Sequence, residues 1–178
     1  MAKAVRRYGL AIFRGWPELL HAIGALARVP EASQTLSLMS LPRLFNHSTL
    51  HAATSGLDPK LQHAIEKRFD LTVCQPESGM SCTAGPLADQ LACRARHGCW
   101  TVDELLSAWM LAKQAARIDD DVRQGRTLLW AKLFTPEQEQ STCETLLNAR
   151  PLRLDVLDLV QIPPPIMAPD GVDNAANT

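Results

Sequence analysis

The strongest constraint on the fold is how often the chain spells out the start of a helix. Asp58-Pro59, Thr101-Val-Asp-Glu104 and Thr135-Pro136-Glu137-Gln138 each set a side-chain oxygen ahead of an apolar run. An N-cap oxygen accepts from the first free backbone N–H groups, and proline at the first helical position gives up a donor that had no partner anyway. Thr101 with Glu104 completes a capping box, and Gln138 stands at the equivalent place after Thr135. These signals predict helices over Pro59–Phe69, Val102–Ile118 and Pro136–Asn148. Pro17–Arg28 joins them, because Leu19, Leu20, Ile23, Leu26 and Ala27 recur at three- and four-residue spacing before Pro30.

Other segments read less sharply. Glu31–Met39 fits a turn or two of helix before Pro42, and Leu44–Thr54 has no clean period. Thr72–Pro86, rich in Pro, Ser, Gly, Thr and Cys, reads as a surface loop. Leu87–His97 reads as a helix stopped by Gly98. Val122–Phe134 reads as another, burying Leu129, Trp130 and Leu133, with Gly125 costing about 1 kcal/mol of helix propensity. Leu152–Ile162 fits both periods equally: Leu152, Leu154 and Val156 alternate like a strand, while Leu154, Leu157 and Leu159 fit a helix. Pro163-Pro164-Pro165 and the polar residues after it lack a face to bury.

The fold class expected is therefore all-α. A single irregular domain of about six to eight helices spans residues 1–162 in two halves joined by the 72–86 loop. One short strand near 152–160 is the alternative to a last helix, and a disordered tail covers 163–178.

Charge and cysteine usage narrow the function classes. Lys and Arg number 18 against 19 Asp and Glu, so no global field draws the chain to nucleic acid or an anionic membrane. The segment after Lys3, Arg6 and Arg7 is interrupted by Arg14, Gly15 and Trp16-Pro17 too early for a signal peptide. No run of about 18 uncharged apolar residues is present to span a membrane. Without an export signal, Cys74, Cys82, Cys93, Cys99 and Cys143 are expected to be reduced thiols in a cytoplasmic protein.

The candidate sites each have a plainer reading. His47 and His51 share a helical face, with His63 further on, but the glutamate of a zinc-protease helix and a third ligand are missing. Cys82, Cys93, His97 and Cys99 lack the paired spacing of a structural zinc site and read as small packed thiols. Asp119-Asp120-Asp121 resembles a magnesium-binding acidic run, yet its place between two predicted helices suits capping and the helix dipole better. Ser78-Gly-Met-Ser-Cys82 and Gly98-Cys99-Trp100 match no nucleophile motif. No catalytic residue, cofactor or metal is assigned. Leu87–His97 followed by Val102–Ile118 could form a helix-turn-helix, but Leu105, Trp109 and Met110 stand where a reader of bases needs polar side chains. A DNA-binding regulator and a zinc-dependent helical enzyme are the alternative functions.

Taken as a whole the chain resembles the sorting-platform adaptors of type III secretion systems, the SctK-like family that includes YscK, PscK, OrgA and HrpD-type accessory proteins. The resemblance runs from about Leu41 to Arg153. It is carried by Leu44-Phe-Asn-His-Ser-Thr-Leu-His51, by the Leu61–Leu71 helix ending in Phe-Asp-Leu, and by the segments Leu87–Cys93, Leu105–Ile118 and Gly125–Phe134. Asn46-His47-Ser48 departs from the family's L-H-P-S-x-L segment in lacking the proline. The resemblance implies no catalysis. It implies a cytosolic protein, peripheral to the inner membrane through its partners, that bridges the cytoplasmic domain of the secretion ring to the sorting-platform scaffold and export ATPase. Arg94, Arg96, Trp100 and Arg123 are the partner-binding candidates read from the sequence itself.

Overall fold

The computed structural model describes residues 4–27, 36–41, 44, 47–69, 82–85, 87 and 101–161. In chain order these form β1 (Ala4–Phe13), α1 (Trp16–Leu26), β2 (Leu36–Ser40), α2 (His47–Thr54), α3 (Pro59–Arg68) and β3 (Cys82–Ala84). Then come α4 (Val102–Ser107), α5 (Ala112–Arg123), β4 (Thr127–Leu133), α6 (Pro136–Asn148) and β5 (Arg153–Gln161). The strands make one antiparallel five-stranded sheet in the order β3-β2-β4-β1-β5. The expectation of an all-α chain is thus overturned: the fold is mixed α/β.

The sheet is covered on both faces, which explains why its strands escape a period-two reading. Along β1, Ala11 and Phe13 join Leu19, Ile23, Leu36, Leu38, Leu129, Ala131 and Leu146 in a core on one side, here called the first face. Tyr8, Leu10 and Ile12 join Leu105, Leu106, Trp109, Ile118, Val122 and Trp130 on the second face. A strand buried on both sides has no polar residue at alternate positions. In β4, Thr127-Leu-Leu-Trp-Ala-Lys-Leu133 has every residue buried except Lys132. Burying a whole leucine, isoleucine or phenylalanine side chain contributes about 1.5–3 kcal/mol, and the sheet's centre holds many of them.

Several expected helices change accordingly. Val122–Phe134 is the last turn of α5, a tight turn at Gly125 (φ 76°), and then β4. Glu31–Met39 contributes β2 rather than helix over its described part, and the 152–160 segment is a strand. Val102–Ile118 is two helices, broken after Ser107, because the carbonyl of Leu106 accepts from both Trp109 and Met110 as the chain tightens.

The helix starts behave as expected. Asp58 accepts from the N–H groups of Lys60 and Leu61, and Thr101 and Glu104 form a complete capping box. Thr135 accepts from Gln138, whose own side chain accepts from the Phe134 N–H. Helix α1 turns Leu19, Ala22, Ile23 and Leu26 onto the first face at the three- and four-residue spacing of an amphipathic helix. Among the described residues, no helix is long and apolar enough to cross a membrane.

Candidate protein interface

Among the described strands β5 ends the sheet, paired on one side with β1 in the register Ala11↔Leu154, Gly9↔Val156, Arg7↔Asp158 and Val5↔Val160. Alternation puts Leu154, Val156, Asp158 and Val160 on the first face, and Arg153, Asp155, Leu157 and Leu159 on the second. On the second face Leu157 and Leu159 are buried beneath α4 and α5. On the first face the cover is incomplete. Helix α6 presses Leu146 over Gly9, where an added methyl would lie 3.7 Å from Leu146 Cδ1. Beside it Val156 stays 38% exposed, Val5 58%, Leu147 of α6 57% and Leu152, just before β5, 46%. On this face the Arg7↔Asp158 pair stands between Val5↔Val160 and Gly9↔Val156, so charge separates Val5 from Val156.

The outer edge of β5 is where the strand meets no other strand among the described residues. The Val160 N–H donates to the Trp109 carbonyl at 2.9 Å, so Val160 points its backbone away from β1. Residues two and four positions earlier, Asp158 and Val156, point the same way because strand backbone groups alternate. Unpaired edges are ready templates for another strand, and charged side chains are one of the means by which proteins restrict what pairs there.

A set of ion pairs fixes where β5 begins. Asp121, with a side chain 3% exposed, holds Arg126 through Oδ1, while Arg153 Nη2 lies 2.9 Å from Oδ2. Arg153 Nε donates to Asp155 Oδ2 at 2.6 Å, and the Leu152 N–H donates to the Ile12 carbonyl at 2.7 Å. The acidic run Asp119–Asp121 therefore does not sit between two helices. It lies in the last turns of α5, where carboxylates face the unfavourable end of the helix dipole and are held by Arg123, Arg126 and Arg153 instead. On the first face Arg7 bridges Glu139 of α6 at 2.9 Å and Asp158 at 3.9 Å, an exposed set worth little by itself. Cys143 lies near this set, its thiol pushed up by burial and then by the charge of Glu139.

Of the sequence candidates, Arg123 is described and is taken up by Asp119. Arg94, Arg96 and Trp100, with Cys93, His97 and Cys99, lie outside the described residues, as does the tail from 163. His51 and His63 lie on different helices, α2 and α3. His51 Nδ1 lies 2.9 Å from Glu66 Oε1, and His63 is exposed one helix away. Among the described residues, no group of three metal-ligating side chains occurs. Leu105 and Trp109, on the helix proposed to read bases, are buried against the sheet. The sequence reading passed over Leu147, Arg150, Arg153, Asp155 and Asp158, although the alternation from Leu152 was visible. Set against protein-family models, curated proteins and solved structures, the chain matches none.

Proposed function

We propose that this chain is a non-enzymatic assembly adaptor of the cytoplasm, working through contacts with other proteins. One observation carries the reading: the end strand β5 is paired on one side only among the described strands, and Val5, Leu147, Leu152 and Val156 are exposed around it. Exposed apolar side chains interleaved with charge are the composition of a protein-binding surface, and here Arg7, Glu139 and Asp158 stand among them on the first face. The sequence resemblance supplies the partners to test first, the cytoplasmic domain of a type III secretion ring and the sorting-platform scaffold.

The test is an affinity pull-down of the tagged full chain from its native host at physiological salt, beside a Leu147→Asp variant. Recovery of ring and scaffold proteins by the wild type, with loss in the variant, supports the adaptor. Recovery of no protein partner, or of DNA or stoichiometric zinc in its place, overturns it.

A further inference from the structure

Helices α2 and α3 are fixed to the sheet by Leu50 and Ile65, both buried in the core of the first face. Their chain neighbours His51 and Glu66 meet where the two helices run side by side, His51 Nδ1 lying 2.9 Å from Glu66 Oε1. Gln62 Nε2 donates to the same oxygen at 2.9 Å, and the Thr54 hydroxyl stands 3.2 Å from it. An ionised carboxylate only accepts hydrogen bonds, so Nδ1 carries the ring proton and the Nε2 lone pair is left for another partner. The His51 side chain is 70% exposed, which opens Nε2 to solvent.

As an exposed ion pair this contact adds little to stability. What it does fix is the tautomer and direction of the imidazole, the task a carboxylate performs behind a metal-binding histidine. His47 opens α2 four residues before His51, so the two histidines stand on one face, one helical turn apart. Imidazoles at this spacing on a helix hold one metal ion between their Nε2 atoms. From the spacing and the Glu66 contact together we propose that His47 and His51 bind one Zn²⁺ ion through Nε2, with Glu66 as the positioning residue of His51.

The chemistry of the donors favours zinc or a neighbouring first-row dication over magnesium or calcium, which prefer oxygen. Water completes the coordination. A glutamate between the two histidines, the mark of a zinc-protease helix, is absent from α2. The fold instead brings a carboxylate from α3, where it orients a ligand and is not placed as the base of a hydrolase. The site shares no residue with the β5 surface and does not depend on the adaptor reading.

Calorimetric titration of Zn²⁺ into the metal-free full chain at neutral pH tests this, with Co²⁺ as a spectroscopic probe. The expected result is saturable one-to-one binding, a cobalt spectrum without the near-ultraviolet band of a thiolate ligand, and a Tm that rises with zinc concentration. His47→Ala and His51→Ala each abolish binding. Glu66→Gln, which keeps the shape of the side chain and removes its charge, weakens binding about tenfold. His63→Ala, on an exposed side chain of α3, leaves it unchanged. Circular dichroism of each variant separates loss of the site from loss of the fold. Absence of saturable binding overturns the inference, as does a folded His51→Ala variant that binds as the wild type does. A thiolate band in the cobalt spectrum, or a Glu66→Gln affinity equal to that of the wild type, overturns it too.

Discussion

Arg153 Nη2 lies 2.9 Å from Asp121 Oδ2, joining the end of α5 to the start of β5 across the second face. The contact is an ion pair rather than an aligned hydrogen bond, and Oδ1 of the same carboxylate is taken by Arg126. One nearly buried anion thus bridges two guanidinium groups.

Replacing that anion takes the carboxylate from Arg126 and leaves Arg153 with Asp155 alone. Asp121→Asn is expected to destabilise the fold by about 1–2 kcal/mol, because the lost carboxylate is nearly buried while Arg126 is partly exposed and Arg153 keeps Asp155. Arg153→Gln costs less, and Arg126→Gln, on the more exposed side chain, costs least. Urea unfolding of the three variants checks the order.

Two glycines with positive φ are expected to respond differently to alanine. At Gly85 (φ 83°) a Cβ would stand 2.2 Å from the Leu36 carbonyl oxygen, so the change brings both backbone strain and displacement of β2. About 3 kcal/mol is expected from the two together. At Gly125 (φ 76°) the nearest atom to a Cβ is Leu44 Cδ1 at 3.6 Å, an ordinary contact. Only the left-handed conformation is penalised there, by about 1 kcal/mol. Thermal unfolding of Gly85→Ala and Gly125→Ala separates the two effects.

The polar cluster between α2 and α3 is expected to make stability fall in acid. Gln62 donates to the Glu66 carboxylate at 2.9 Å, and with His51 and Thr54 it holds Glu66 below the usual carboxylate range. A carboxyl whose folded pKa is lowered contributes stability at pH values above its unfolded pKa and loses it as pH falls through the folded pKa. The Tm of the wild type should therefore exceed that of Glu66→Gln at neutral pH, with the gap closing in acid. A gap that is constant with pH refutes this.

Thr101 caps the six-residue helix α4, which brings Leu105 and Leu106 onto the second face. Thr101→Ala is expected to cost about 1 kcal/mol, and Thr101→Ser much less because its hydroxyl still accepts from the Glu104 N–H. Denaturant midpoints of the two variants give the comparison.

The helix starts were legible because caps act over three or four residues. Asp58, Thr101 and Thr135 each accept the hydrogen bonds their spacing implies. The sheet was not legible, for a reason visible in β4. A run such as Leu128-Leu-Trp-Ala131 carries no alternation once helices cover both faces, and by periodicity alone it fits a buried helix as well as a strand. Only β5, half uncovered on the first face, kept enough polar positions to hint at a strand. The candidate interface stayed hidden because it needs the register Gly9↔Val156 and the placing of α6, both set by contacts distant in sequence.

Strand β1 lies between β4 and β5, so both rows of its hydrogen bonds are answered by residues 127–161. On the ribosome it is made before either partner, and until residues 127–161 emerge it waits with both edges unanswered by them. Closing so long a loop makes folding slow and leaves the nascent chain dependent on protection from aggregation. A chain released before β5 is complete cannot finish the sheet at all.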